Sequence, residues 1–196
     1  LLETEPSPHL EITLNSNLGV TFDRVDRLIE RVTSLVRQKK IRKFSFFTSI
    51  DSWGEQAEYM RNGMDFEVLK KNVLRVLRET DNTTITFINT FNALSLTSFR
   101  EWLQFILELR EEFAKDRQGI KYIPVPDNGG HKHPDYEIRP KQRIWFDIPL
   151  LRAPHWQCIQ VMPEWYQDYL EEAIAFMELN AANEQYIDYR GFKDFE

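Results

Sequence analysis

The chain has 196 residues, of which 42% are hydrophobic and 29% charged, with a formal net charge of -6. This length and composition predict one globular domain, or a large part of one, with a hydrophobic core. The acidic balance argues against nucleic acids and anionic membranes as partners, because both attract basic surfaces. No apolar run approaches the roughly 20 residues that a membrane-spanning helix needs, so no membrane partner is expected.

Cys158 is the single cysteine of the chain. One thiol cannot form an internal disulfide, a four-cysteine zinc site or a three-cysteine cluster site. This favours a reducing compartment, and we expect a cytoplasmic location. The apolar–polar alternation of residues 156–161 favours Cys158 as a buried strand residue rather than a nucleophile or metal ligand. The acidic, proline-bearing start without an initiator methionine predicts part of a longer protein.

Three strand-then-helix units are predicted in the first part of the chain. The strands are expected at residues 10–14, 44–49 and 83–90, and the helices at 22–36, at 55–61, after Asp65 and from Phe99 to Phe113. Thr21 and Asp65 are of the residue types that cap helices, and residues 81–82 form a turn. Consecutive units of this kind predict a parallel sheet with right-handed crossovers.

The pattern changes after residue 113. Strands are indicated at residues 120–125, 143–148 and 157–161, with a polar loop at 126–140. Pro163 is expected to open a final helix running to about Asn180, because proline is favoured at the first helical position. The apolar positions of this helix include Trp165, Tyr169, Leu170, Ile174 and Met177. We expect one domain over residues 1–180 and a C-terminal tail over 181–196.

Polar side chains follow each of the first three strands. They are Asn15, Ser16 and Asn17, then Ser49 and Asp51, then Asn89, Thr90 and Asn92. In parallel α/β folds, ligands bind where the carboxyl ends of the strands meet. These residues therefore predict a ligand site. The alternative is purely structural, since the same residue types end strands and cap helices.

The segment from Ser49 to Arg61 reads Ser-Ile-Asp-Ser-Trp-Gly-Glu-Gln-Ala-Glu-Tyr-Met-Arg. It resembles the motif after the fourth strand of radical SAM enzymes, in which Ser-x-Asp precedes a helix ending in Tyr-x-Arg. The resemblance continues through residues 62–66 and Asn72, resumes at 90–95, and covers roughly residues 10–163. It points to the branch with a SPASM or Twitch auxiliary cluster domain. It implies an α/β fold with parallel strands and outer helices. The chain would be the later part of a (βα)6 partial TIM barrel, from about the third to the sixth strand.

The resemblance also implies roles for the motif residues. Ser49 and Arg61 would contact the ribose and the methionine carboxylate of S-adenosylmethionine, and a guanidinium suits a carboxylate through paired, charge-assisted hydrogen bonds. The structural alternative for Arg61 is a salt bridge to a neighbouring acid such as Asp65. Asp51 would accept a hydrogen bond from a ribose hydroxyl, or cap the helix that follows it.

Four further residues receive roles by the same resemblance. Asn17 falls at the family's turn after the third strand. Asn89 and Asn92 would face the substrate or the sugar of the cofactor. Ile159, on a presumed sixth strand, would form an apolar wall for adenine.

One part of the family pattern is missing. Radical SAM chemistry needs three cysteines, spaced Cys-x-x-x-Cys-x-x-Cys, to bind a [4Fe-4S] cluster, and this chain has no such motif. The cluster ligands would belong to the parent protein, and the chain alone would be inactive. The resemblance thus implies part of a radical SAM enzyme, contributing cofactor and substrate contacts to reductive cleavage of S-adenosylmethionine and radical hydrogen abstraction.

Two other functions stay open. The chain is alternatively a non-catalytic α/β binding or scaffold module that has lost the iron–sulfur half. A weaker hypothesis is a metal-dependent hydrolase built on His131 and His133, which form a His-x-His after two glycines. Peptides are common substrates among the SPASM and Twitch relatives, but nothing in the residues selects a peptide over a sugar or a nucleotide.

Overall fold

The computed structural model describes residues 10–80, 83–113 and 143–180. This part of the chain contains a four-stranded parallel sheet with the strand order β1-β2-β3-β4. The strands are β1 (Glu11–Asn15), β2 (Lys43–Ser49), β3 (Thr83–Ile88) and β4 (Ile144–Asp147). The helices are α1 (Phe22–Arg37), α2 (Gly54–Met60), α3 (Phe66–Glu79), α4 (Phe99–Phe113) and α5 (Gln167–Leu179). The α/β class and the parallel sheet predicted from the sequence are confirmed.

The helices cover one face of the sheet, which we call the helix face. Its side chains include Phe46, Ile85 and Phe87, all buried. Trp102 of α4 packs edge-on against the rings of Phe87 and Phe146, at centroid distances of 6.5 and 5.4 Å. Because parallel crossovers are right-handed, a strand order that follows the sequence order places α1, α3 and α4 on this same face.

The opposite face, which we call the open face, has two rows of side chains near the carboxyl ends of the strands. The lower row is Asn15, Phe47, Thr86 and Trp145, and the upper row is Ser49, Ile88 and Asp147. Beneath these rows, Ser45 and Thr84 are buried and their hydroxyls share a hydrogen bond of 2.9 Å. In contrast, Phe47 and Trp145 are 37% and 40% exposed. In β2 and β3 the open face is therefore accessible only in its carboxyl half.

The helices in the first part of the chain form as their patterns predict. The apolar stripe of α1 is buried at Val25, Ile29, Val32 and Leu35. Asp65 caps α3, because its carboxylate accepts a hydrogen bond from the Val68 N–H at 2.9 Å. Thr21 occupies the position before α1, but its side chain makes no capping hydrogen bond. The cap predicted at Asp65 is confirmed, and Thr21 takes the predicted N-cap position of α1 without the side-chain hydrogen bond.

The strand predicted at residues 157–161 is also wrong. The chain there forms two three-residue 3-10 turns, His155–Gln157 and Ile159–Val161. One backbone hydrogen bond, from the Ala93 N–H to the Gln157 carbonyl at 2.8 Å, links this segment to the loop after β3. Alternation over so few residues does not separate a strand from successive turns, and prolines at 154 and 163 restrict the segment on both sides.

The final helix begins later than predicted. A 3-10 turn at Glu164–Tyr166 precedes α5, which begins at Gln167 rather than at Pro163. Trp165 and Ile174, two of the apolar residues named for this helix, are 57% and 45% exposed, whereas Phe176 is buried. The guanidinium of Arg100 in α4 lies 3.5 Å from the Phe176 ring centroid. Because α5 packs mainly against α4, only a narrow stripe of it is buried.

Several predictions fall on residues outside the described ranges. They are the turn at residues 81–82, the strand at 120–125, the loop at 126–140 with His131 and His133, and the tail at 181–196. Among the helices of the described ranges, none has an apolar stretch long enough to cross a lipid bilayer.

Candidate functional site

The carboxyl ends of the four strands meet at one edge of the sheet. Backbone hydrogen bonds continue beyond the strand ends, from Ser16 N–H to Phe47 O, from Ile50 N–H to Ile88 O and from Asn89 N–H to Asp147 O, each at 2.9 Å. The polar residues that follow β1, β2 and β3 are thereby brought to a common edge, as the parallel arrangement predicts.

Asp51 connects the ends of β2 and β3. Its Oδ1 accepts a hydrogen bond from the Thr90 N–H at 3.0 Å. Its Oδ2 accepts from Arg61 Nε at 2.8 Å and lies 2.6 Å from Arg61 Nη2. The Asp51 side chain is only 13% exposed. Such charge-assisted hydrogen bonds fix the guanidinium in place at the sheet edge.

These contacts correct two predictions. Arg61 forms the salt bridge to an acid that the structural alternative expects, but the acid is Asp51 and not Asp65, whose carboxylate caps α3. Asp51 does not cap α2, because the residue before that helix is Trp53. A hydrogen bond from a ribose hydroxyl to Asp51 stays a prediction. The Asp51 carboxylate already has three protein donors, namely the Thr90 N–H, Arg61 Nε and Arg61 Nη2.

Arg61 keeps hydrogen-bonding capacity for a ligand. A guanidinium has five N–H donors, and Asp51 uses the edge formed by Nε and Nη2. Within the described residues, no other group accepts a hydrogen bond from the Arg61 guanidinium, and its side chain is 32% exposed. The remaining donors can meet a second carboxylate at two points. Ser49, in the upper row of the open face, is partly exposed, and its hydroxyl has no hydrogen-bond partner among the described residues.

Asn17 and Asn92 have local structural roles. The Asn92 amide donates to the Thr90 carbonyl at 2.7 Å and accepts from the Leu94 N–H at 2.9 Å, which folds the loop after β3. Asn17 accepts from the Gly19 N–H at 3.1 Å. Asn92 is 5% exposed, whereas Asn17 lies at the surface. The structural alternative thus accounts for Asn92, and Asn17 remains accessible to a ligand.

The loops after β2 and β3 are tied to each other by side chains. The hydroxyls of Ser52 and Ser98 share a hydrogen bond of 2.7 Å. Gln56 in α2 donates to the Leu94 carbonyl and, at 3.0 Å, to the Thr97 hydroxyl. The partners are more than 35 residues apart in sequence, so no local pattern indicates these contacts. They hold the segment that contains Asp51 and Arg61 against the loop after β3.

Asn89 is directed away from the open face. It continues the buried alternation of Ile85 and Phe87 and is 0% exposed. Neither polar atom of its side chain has a hydrogen-bond partner in the described part of the chain, and the same holds for Thr48 Oγ1 and Trp102 Nε1. Asn89 therefore does not lie beside Arg61. Ile159 is partly buried against the hydrophobic core. It lies in a 3-10 turn and not on a sixth strand, on which its predicted role as an adenine wall depended.

Replacing Asn89 with leucine, which has a similar volume, should raise the free energy of unfolding by about 1 kcal/mol, because a buried amide without a hydrogen bond is costly. Thr48→Val is the matched substitution, because the Thr48 hydroxyl is also buried without a hydrogen-bond partner among the described residues. It should also raise the free energy of unfolding. Urea denaturation followed by circular dichroism measures both changes. A loss of stability in Asn89→Leu would show that the amide has a partner, such as a buried water molecule.

Sequence reasoning missed three residues of the open face, namely Phe47, Trp145 and Asp147. Their signal is the strict alternation of side chains along β2 and β4. That alternation could not be assigned to a face from sequence, because phenylalanines occur on both faces of β2, with Phe46 on one face and Phe47 on the other. The structure shows that Asp147 is exposed and adjacent in register to Ile88.

A metal site is not found in residues 10–80, 83–113 and 143–180, where no three His, Cys, Asp or Glu side chains lie together. Cys158 is buried, as predicted, and its thiol lies 3.5 Å from the Pro154 carbonyl.

Comparisons with family models, with curated proteins and with solved structures found no match for this chain. The radical SAM resemblance accordingly stays a prediction from the sequence, and function is inferred from the site residues and their geometry.

Proposed function

We propose that the chain is part of a radical SAM enzyme, in which it contributes contacts to S-adenosylmethionine and to the substrate. The observation that carries the proposal is the position of Arg61, which Asp51 fixes at the carboxyl edge of the sheet and which is 32% exposed there. A cytoplasmic location and a partial TIM barrel belong to the same proposal.

The sheet topology supports the barrel part of this proposal. Strands in sequence order with helices on one face are typical of (βα) barrels, whereas doubly wound sheets reverse the order and place helices on both faces. The observed order β1-β2-β3-β4 follows the first pattern. The open face then corresponds to the inside of the barrel, and the ligand site to its carboxyl end.

The donor set at the edge fits S-adenosylmethionine in part. Arg61 would bind the methionine carboxylate through its remaining N–H donors, and Ser49 would bind a ribose hydroxyl. Asp51 orients the guanidinium and neutralises part of its charge. When bound, the cofactor would supply the 5′-deoxyadenosyl group that the resemblance assigns to hydrogen abstraction from the substrate.

The residues do not fit the [4Fe-4S] cluster. Three cysteines are required, and the whole sequence contains only Cys158, which is buried. This observation favours a second candidate function, a non-catalytic module that binds a carboxylate-bearing nucleoside without cleaving it. Both candidates use the same contacts at Arg61 and Ser49.

Calorimetric titration with S-adenosylhomocysteine tests the shared contact. Arg61→Met should weaken binding about tenfold, or about 1.4 kcal/mol, because one charge-assisted pair is lost. Binding of 5′-methylthioadenosine, which lacks the amino-acid carboxylate, should not change in the variant.

Arg78→Met is the matched control. Arg78 also pairs with a carboxylate, that of Glu112, at 2.9 Å, but it lies on α3 away from the sheet edge. Equal losses for both nucleosides in Arg61→Met, or no binding of either nucleoside to the unmodified chain, would contradict the proposed contact.

A further inference from the structure

Three aromatic side chains form a cluster at the start of α5. The ring centroid of Trp165 lies 4.0 Å from that of Tyr166 and 6.5 Å from that of Tyr169, and the two tyrosine rings are 6.1 Å apart. Tyr166 packs partly against the hydrophobic core, whereas Trp165 and Tyr169 are 57% and 37% exposed. We call these three residues the aromatic cluster. The core anchors it on one side, and two of its rings lie at the surface.

Exposed carboxylates alternate with the two surface rings. Residues three and four positions apart are neighbours on a helix surface, so Asp168 lies beside Trp165, and Glu172 lies beside Tyr169. Trp165 is in the 3-10 turn that runs directly into α5, and its ring distance to Tyr169 shows that the stripe continues across this junction. Asp168 and Glu172 are exposed. Neither forms a salt bridge with another residue of the described ranges.

The segment around the aromatic cluster is acidic. From residue 153 to residue 180 the sequence has no lysine or arginine. Its acidic residues are Glu164, Asp168, Glu171, Glu172 and Glu178. Such a surface attracts cations and repels phosphate groups, which disfavours nucleic acids and anionic lipids as occupants. Charge complementarity therefore favours a basic partner.

Aromatic rings and carboxylates together suit one kind of side chain. The face of an aromatic ring attracts an ammonium or guanidinium group within about 6 Å of the ring centroid. The chain itself makes such a contact on α5, where the guanidinium of Arg100 lies 3.5 Å from the ring centroid of Phe176. A lysine can pack its apolar stem on the rings while its ammonium group reaches a carboxylate. A lysine-bearing segment thus matches both features of the surface.

We propose that the aromatic cluster, with Asp168 and Glu172, is a docking surface for a lysine-rich segment of a partner protein. These residues lie on and just before α5, which packs mainly against α4. None of them belongs to the site at the carboxyl edge of the sheet. The docking surface therefore goes beyond the proposed function and does not depend on it.

A titration with trilysine, blocked at both termini and followed by nuclear magnetic resonance, tests the surface. Indole N–H signals report on the five tryptophans, and the signal missing from the Trp165→Leu variant identifies Trp165. We expect a saturable shift of this signal, and the affinity should fall as salt is added because surface charges are screened. Trilysine with acetylated amines keeps the stems without the charges and should cause no saturable shift. No saturable shift with trilysine, or an equal shift with the acetylated peptide, would overturn the proposal.

Substitutions separate the contribution of the rings from that of the carboxylates. Affinity for trilysine is followed at backbone N–H signals of α5, which remain in every variant. Tyr169→Leu should weaken binding about threefold, the effect of losing one exposed cation–π contact. Asp168→Asn combined with Glu172→Gln should weaken binding by about the same factor, because each exposed ion pair contributes little. Tyr169→Phe keeps the ring and should retain binding.

Matched variants elsewhere on the surface are the controls. Tyr59→Leu corresponds to Tyr169→Leu, because Tyr59 is 82% exposed and lies on α2. Asp23→Asn combined with Glu30→Gln removes the same charge from exposed positions of α1, which packs against α3. Circular dichroism confirms that each variant is folded. Equal losses in the two tyrosine variants, or in the two double variants, would reduce the effect to general charge attraction and overturn the docking surface.

Two other occupants are distinguished by the same signals. Choline carries a quaternary ammonium group without a peptide, and it should bind more weakly than trilysine because a single cation meets fewer carboxylates. A second copy of the chain would shift the Trp165 signal with protein concentration in the absence of peptide. Choline binding as tight as that of trilysine, or a concentration-dependent shift, would assign the surface to a small cation or to self-association, against the partner segment.

Discussion

Trp102→Ala should lower the free energy of unfolding by about 3–5 kcal/mol, the range for truncating a large buried aromatic side chain. Trp102 is 0% exposed and packs against Phe87, Phe99 and Phe146, with centroid distances of 6.5, 5.4 and 5.4 Å. Trp102 thus contacts both β3 and β4, whereas Phe105 of α4 contacts β3 and Arg110 of α4 contacts β4. Truncation leaves a cavity at the helix face, which the surrounding rings cannot fill without moving. Urea denaturation measures the change in stability.

Two further tryptophan variants give this prediction its controls. Trp102→Phe should lower the free energy of unfolding by only about 1 kcal/mol. Ring contacts are lost, but the buried Nε1–H donor, which has no partner among the described residues, is removed as well. Trp156→Ala, at a site 70% exposed, should stay within about 0.5 kcal/mol of the unmodified chain. Comparable losses in Trp102→Ala and Trp156→Ala would mean that α4 does not pack on the sheet through Trp102.

The elements on which this core depends were predictable because their signals are local. The apolar stripes of α1 and α3 recur at helical spacing, and the β-branched run of β3 is bounded by turn residues. Such patterns depend only on residues a few positions apart. The cap at Asp65 is local in the same sense, since it bonds the N–H of Val68 three residues later.

The partners of the site residues could not be predicted in this way. Asp51 and Asp65 are both near Arg61 in sequence, and Asp65 is the nearer. Asp51 becomes the partner because Asp65 caps α3, and because the Thr90 N–H of a distant loop fixes the Asp51 carboxylate. The choice depends on the pairing of β2 with β3, which brings residues 39 positions apart into contact.

The direction of Asn89 was unpredictable for a different reason. Successive residues of a strand point to opposite faces, so a shift of one position reverses every assignment. Asn89 and Thr90 are both polar and both follow β3, and composition does not say which faces the helices. Asn89 is 0% exposed, in phase with Phe87. The sequence therefore predicted the edge of the sheet correctly but not the face on which this residue lies.

Asn72→Asp should lower the free energy of unfolding by about 3–5 kcal/mol at pH 7, the cost of an uncompensated buried charge. The Asn72 amide nitrogen donates to the Leu18 carbonyl at 2.7 Å and to the Val20 carbonyl at 2.9 Å, and the residue is 0% exposed. These bonds hold the loop between β1 and α1, in which Leu18 has a φ of 52°. An ionised aspartate has no donor and would face two carbonyl oxygens.

The pH dependence of this variant separates charge from shape. Burial beside two carbonyls raises the pKa of the introduced carboxyl above its unfolded value of about 3.9. The unfolded state then releases its proton first, so the destabilisation grows as the pH rises from about 4 through the raised pKa. Asn72→Leu removes the same donors without a charge, and its smaller loss of about 1–3 kcal/mol should not vary over this range. Parallel losses of the two variants at every pH would mean that residue 72 reaches solvent, and the loop that carries Asn17 would then not be held by α3.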